Sequence, residues 1–150
     1  MQGKQAINMV FARLQGRWAF IRTIKIIDFN ELINKAGGHA SFIPLDDAAL
    51  AYQETGSDAA GNEFYRHYTY RFSDRQMDVF YADGPQSGAL YQSYSLTGQK
   101  LQPLADHFCG PDCYHGIYEW LDDTNFILRT LVTGPKKNFS IETQFMRLEN

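Results

Sequence analysis

From Gly16 onward the chain alternates apolar and polar residues with a period of two, and turn residues interrupt the alternation at regular intervals. The interruptions are Pro44-Leu45-Asp46-Asp47, the Gly56 to Asn62 loop, Ser73-Asp74, Asp83-Gly84-Pro85, Thr97-Gly98, Gly110-Pro111, Asp122-Asp123 and Gly134-Pro135. Between them lie about ten strand-length runs, the spacing of an all-β domain. So many short antiparallel strands must hide two sheet edges, and closing the sheet on itself removes both at once. The expectation is an all-β antiparallel meander β-barrel over residues 16–148. Nine Tyr, eleven Phe and two Trp, 15% of the chain, agree with strands rather than helices.

Two stretches depart from this period. Ile7, Val10, Phe11 and Leu14 fall at i, i+3, i+4 and i+7, with Lys4, Asn8 and Arg13 off that stripe, so residues 1–15 read as a short N-terminal helix that Gly16 ends. Packed on a barrel end it is a lid; left exposed it would serve as a homodimer contact. Residues Asp28 to Gly37 contain Asp28-x-x-Glu31, a capping-box pattern, followed by Leu32 and Ile33, and read equally as a helical turn or a long loop. No linker or internal repeat divides the chain, so residues 1–150 are expected to form one domain.

Charge excludes several partners. Fourteen Lys and Arg against seventeen Asp and Glu leave a formal −3, and no basic run is present to track a phosphate backbone, so nucleic acid is not expected. Arg22, Lys25 and Asp28 interrupt the most apolar early segment, well short of the ~20 apolar residues of a membrane span, so no membrane partner is expected. The N-terminal stretch lacks an apolar signal-peptide core, and a cytoplasmic location is expected.

Within the runs, one face is apolar and carries a charge. Trp18, Phe20 and Arg22 share a side, as do Leu50, Tyr52 and Glu54; Phe64, Arg66, Tyr68, Tyr70 and Phe72; and Phe139, Ile141, Thr143, Phe145 and Arg147. Gly16-Arg17-Trp18 on the first strand, matched by Arg147 on the last, resembles the calycin motif of lipocalins and fatty-acid-binding proteins. The resemblance implies that the Trp closes one barrel end with the Arg packed on its face.

A second resemblance spans almost the whole chain. Leu14-x-Gly16-x-Trp18-x-Phe20-x-Arg22, Gly38-x-Ala40-x-Phe42, Tyr52-x-Glu54-x-Gly56, Arg66-x-Tyr68-x-Tyr70, His107-x-Cys109-Gly110-Pro111-Asp112-x-Tyr114 and Gly134-Pro135-Lys136-Lys137, followed by Thr143 and Arg147, are similar to the bacterial domain-of-unknown-function family 6314. That resemblance implies a calycin-like barrel and brings no activity. Phe139 and Asn138 stand where the family pattern has Tyr and Asp.

The inner-face charges are the candidate site. Buried charges cost several kcal/mol unless paired, and Arg22, Glu54, Arg66 and Asp112 balance on paper. One reading is a polar cavity in which Arg22 and Arg66 bind a small anionic, partly aromatic ligand, with Tyr68, Tyr114, His107, Glu54 and Asp112 around it. A second is an enzyme of decarboxylase or isomerase type in the same cavity. There His107, held by Asp112, or Glu54 acts as base, and Tyr68 or Tyr114 supplies a proton. A third is a self-filled barrel in which the charges only fix strand register.

Other motifs carry less. His107 and Cys109 share a face, but Cys113 and His115 have the opposite parity to Asp112 and Tyr114, so neither a metal nor another cofactor is expected. Cys109 is expected to be a small buried residue. Of the histidines only His107 is placed to meet a haem, since His39 and His67 face outward. Gly134-Pro135-Lys136-Lys137 lacks the spacing of a phosphate loop, Ser87 is not in Gly-x-Ser-x-Gly, and His-Glu-x-x-His is absent.

Overall fold

The structure, a computed structural model, describes residues 2–149, with side chains from residue 6 onward. Residues 1 and 150, at the limits of the expected helix and domain, and the side chain of Lys4 lie outside the described residues. One helix, α1 (Gln2–Leu14), precedes eleven strands: β1 (Gly16–Ile26), β2 (Glu31–Asp46), β3 (Ala49–Asp58), β4 (Glu63–Ser73), β5 (Gln76–Tyr81), β6 (Leu90–Thr97), β7 (Lys100–Pro103), β8 (His107–Cys109), β9 (Asp112–Asp122), β10 (Asn125–Thr133) and β11 (Asn138–Arg147).

All strand pairs are antiparallel neighbours in a meander, and the β9–β10 and β11–β1 ladders close the ring. The result is a closed ten-stranded barrel with one extra strand. The extra strand arises because β9 shares one edge between two short partners. β7 pairs with Tyr118 and Glu119, β8 pairs with Asp112 to Tyr114, and residues 115–117 have no strand partner on that side. The intervening segment is tied to β6 instead, where the buried Gln92 amide donates to the Ala105 carbonyl and the Leu104 amide donates to the Ser93 carbonyl.

The barrel bends hard where Gly38 of β2 faces Gly56 of β3. A Cβ on Gly38 would lie 2.0 Å from the Thr55 carbonyl oxygen, and one on Gly56 would lie 2.9 Å from the Phe64 ring and 3.0 Å from the Phe20 ring. The two missing side chains let the strands close up and give those rings their room.

Residues 28–37 contain no helix. A tight turn at 27–30 is followed by β2, and Asn30 takes a left-handed φ of 49° that Asn tolerates better than most residues. The capping-box pattern loses to the strand end Ile24-Lys25-Ile26, which pairs directly back onto Glu31 to Asn34.

The helix stripe behaves as a lid. Ile7, Val10 and Leu14 are buried, and Phe11 meets Phe72 edge to face at 5.3 Å. Gly16, at φ 119°, turns the chain sharply into β1. Directly beneath, the Trp18 indole donates to the Leu14 carbonyl at 2.9 Å and packs on Phe126 at 4.8 Å. Arg147, opposite Trp18 in the β1–β11 register, lies 4.3 Å above its ring and donates to the carbonyls of Gln15 and Arg13. That end of the barrel is therefore shut. Among the described residues no helix is long and apolar enough to cross a membrane.

Candidate functional site at the open end

The opposite end holds a cavity of about 360 Å³. Its floor is Tyr70, Val79, Tyr118, Leu128 and Phe145, and its wall includes Arg22, Tyr52, Glu54, Arg66, Tyr68, Tyr81, Tyr91, His107, Cys109, Tyr114 and Thr143. These wall residues sit on the strand ends remote from α1, with side chains turned inward by the period-two alternation except Tyr91, which lies at a register shift between β5 and β6. A larger depression of about 710 Å³ lies on the outer wall of β2 and β3, but it opens broadly to solvent, and Arg17 and His39 are its only ionisable residues.

Glu54 is the hub. Arg22 donates to both of its carboxylate oxygens at 2.8 Å, and Tyr52 donates to one of them at 2.6 Å. Arg66 approaches within 3.8 Å from the mouth. The Arg22 Nε–H donates to the Thr143 hydroxyl at 2.8 Å, joining the first and last strands. Burial alone would raise the Glu54 pKa, but the two guanidinium groups and the Tyr52 hydroxyl outweigh it and hold the carboxyl below its ordinary value. Burial likewise opposes the charge on Arg22, and the Glu54 carboxylate reverses that and raises its pKa. Glu54 is thus held as the carboxylate.

The aromatic wall continues the site. Tyr68, Tyr81 and Tyr91 stand within 6 Å of one another, and His107 lies 4.8 Å from Tyr91 and 6.0 Å from Tyr114. Desolvation raises the pKa of Tyr68, Tyr81 and Tyr91, so their hydroxyls remain protonated donors. Desolvation lowers the His107 pKa, keeping its imidazole neutral near pH 7.

Several sequence expectations change here. Asp112 does not line the cavity and does not hold His107. Its carboxylate pairs with Lys137 of the β10–β11 loop at 3.0 Å, and the ring nitrogen of His107 instead meets the Tyr81 hydroxyl at 3.4 Å. Asp112 starts β9, one step beyond Tyr114 on the same face, and at that height the neighbouring chain is the loop rather than the cavity wall. Cys109 is exposed at the rim rather than buried, because β8 is only three residues long and ends there; both cysteines are free. Arg66 faces inward but is half exposed at the mouth. The cavity keeps Arg22, Glu54, Arg66, Tyr68, His107 and Tyr114 together. Tyr52, Tyr81 and Tyr91 were missed, although Tyr52 shares the Glu54 face and Tyr81 shares the parity of the buried Met77 and Val79; Tyr91 has the opposite parity to the buried Gln92 and Tyr94, and it lines the cavity at a register shift between β5 and β6 that alternation does not announce. No cluster of three or more His, Cys, Asp or Glu able to hold a metal occurs among the described residues.

A closed antiparallel barrel with a helix over one end, a Trp–Arg pair beneath it and a polar cavity at the other is a calycin-like barrel. Within that class, the chain belongs to the Family of unknown function (DUF6314), whose family model matches residues 14–147. No curated protein matches it. Among solved structures it is similar to the S-type phycobiliprotein lyase CPES from Guillardia theta, with a TM-score of 0.72 at 9% identity over 98% of each chain. It is also similar to Rv2717c from M. tuberculosis, with a TM-score of 0.63 at 12% identity over 95% of this chain and 98% of that one. A third similar structure is EF1p2_mFAP2b bound to DFHBI, with a TM-score of 0.54 at 10% identity over 95% of this chain and 99% of that one. At these identities the likeness is one of fold.

Proposed function

We propose that this protein is a small-molecule-binding barrel whose ligand is anionic and partly aromatic. The observation that carries the reading is the charge of the cavity: two guanidinium groups face one carboxylate, since Asp112 is paired elsewhere and His107 is held neutral. An anionic group on the ligand balances that excess. Arg66 is the anchor, because Arg22 is already bound to Glu54 and Thr143 while Arg66 keeps most of its donors free at the mouth. Tyr68, Tyr91, His107 and Tyr114 form a sandwiching wall for a ring, and the tyrosine hydroxyls donate to its polar substituents. A barrel of similar shape solved bound to DFHBI supports the use of such an interior for a small molecule.

Native mass spectrometry of freshly purified protein, compared with its denatured mass, reads a retained ligand directly. Titration with an aromatic carboxylate and with its neutral amide then tests the charge. The carboxylate is expected to bind more tightly, and Arg66→Ala to weaken it about tenfold, the equivalent of one charge-assisted hydrogen bond at ~1.4 kcal/mol. A bare mass together with no preference for the carboxylate would sink the reading in favour of a self-filled barrel.

A further inference from the structure

Tyr70 of β4 and Tyr118 of β9 stand on strands that are not neighbours in the ring, and their hydroxyls meet across the bore at 2.8 Å. This crossbar divides the interior. On one side Tyr70 packs edge to face on Phe42 at 5.2 Å and Tyr118 lies 6.2 Å from Phe126, within the aromatic core of the shut end. On the other side is the cavity, which both tyrosines line. Each is only 4% exposed.

The crossbar holds more protons than it uses. Two phenols bring two protons, and the bond between them spends one. The other meets no acceptor within hydrogen-bond distance among the described residues, and the neighbouring Tyr52 has given its own proton to Glu54. Burial pushes both hydroxyls well above the ordinary tyrosine range, so neither ionises to relieve the excess. Beyond burial, their mutual bond raises Tyr118 as a donor and lowers Tyr70 as an acceptor, and Tyr94 behind them is raised by Tyr118 in turn. The protons thus run toward the cavity, and the unspent one is that of Tyr70.

A buried donor without an acceptor is costly, and here it stands at the bottom of a cavity. Around it are Val79, Leu128 and Phe145, while Arg22 and Glu54 higher up are committed to each other. A second anion at this depth would be stripped of water with no counterion, and a hydrocarbon end would leave the proton unpaired. A carbonyl suits the place better than a hydroxyl, which would bring one more proton. Arg66, Tyr68 and Tyr70 share one face of β4, so the mouth and the floor are about 13 Å apart along the strand, the scale of a substituted molecule of one or two rings.

We propose that the Tyr70 hydroxyl is a second recognition point at the bottom of the cavity, and that the ligand is an aromatic acid carrying a neutral carbonyl-type acceptor at the end opposite its anion. The inference rests on the reading of the cavity as an anion site with Arg66 at its mouth, and specifies the other end of the same guest.

Calorimetric titration with para-acetylbenzoate, its apolar isostere para-isopropylbenzoate and terephthalate, together with the matching biphenyl series, tests it. In the ring length that binds more tightly, the acetyl acid is expected to exceed both the isopropyl acid and the dicarboxylate by about tenfold. Tyr70→Phe keeps the ring and its packing, and is expected to erase the difference between acetyl and isopropyl while the preference for a carboxylate over its amide remains; urea unfolding checks its fold. Arg66→Ala is expected to weaken the acids and leave the acetyl preference in place. Equal binding of the acetyl and isopropyl acids by the wild-type protein overturns the proposal without recourse to any variant. So does a dicarboxylate that binds as tightly as the acetyl acid, a preference that survives Tyr70→Phe, or one lost in Tyr118→Phe and not in Tyr70→Phe. Failure of every acid to bind overturns the anion-site reading and this inference with it, whereas an acetyl preference without a carboxylate preference would strike the anion-site reading alone.

Discussion

The two ends of the barrel each hold an arginine from the inner face, Arg147 part-buried and Arg22 buried, and they satisfy it differently. At the shut end Arg147 rests on the Trp18 ring and donates to two main-chain carbonyls, so neutral partners suffice and the surroundings are hydrocarbon and helix. At the open end Arg22 is buried against the carboxylate of Glu54, with a hydroxyl on either side and empty volume above. The shut end is built for packing, and the open end keeps both charge and space. Stability is expected to reside chiefly in the former and recognition in the latter.

Three substitutions sharpen that division. Trp18→Ala removes the centre of the shut end and is expected to cost about 3–5 kcal/mol, the usual range for deleting a large buried aromatic, read from urea unfolding. Glu54→Gln leaves Arg22 without its countercharge and is expected to cost about 3 kcal/mol, the lower part of the range for breaking a buried pair, since the amide oxygen still accepts one bond. This second loss has a pH signature. The Glu54 carboxyl titrates lower in the folded chain than its ordinary value of 4.5, so its contribution is full above that value and disappears as pH falls through the lowered one. Unfolding midpoints measured down the acid limb should therefore converge for wild type and Glu54→Gln. Arg66→Ala is the smallest, expected to change stability by less than about 1 kcal/mol because the group is half exposed. A large loss of stability there would move Arg66 from recognition to scaffold.

Much of this contrast was legible in the chain. Trp18 and Arg147 marked the shut end through their resemblance to the calycin motif, with Arg147 on the matching parity of the last strand. Arg22, Glu54 and Arg66 were legible as inner-face charges because each sits in an unbroken run of alternation. Asp112, two residues from the Gly110-Pro111 turn, has the right parity and the wrong height: alternation tells which side of a wall a residue faces and nothing about how far up the bore it stands. The turn between β1 and β2 was misread for a different reason. A local Asp-x-x-Glu pattern competes with strand pairing, and pairing to a neighbour already in the sheet is worth more than one cap. Leu32 and Ile33 are both exposed because β3 ends opposite Ala36 and leaves that stretch of β2 paired on one side alone, a length mismatch that no alternation pattern announces.

The interrupted edge of β9 has a mechanical meaning. Ten strands laced all the way round would make a rigid hoop whose girth is set once and for all by its ladders. Between β7 and β8 the lacing lapses over residues 115–117, where the His115 ring clasps the Asp106 carboxylate at 2.7 Å. Along this stretch the girth of the mouth is set by side chains and by the tie of residues 104–105 to β6, not by a ladder between neighbouring strands.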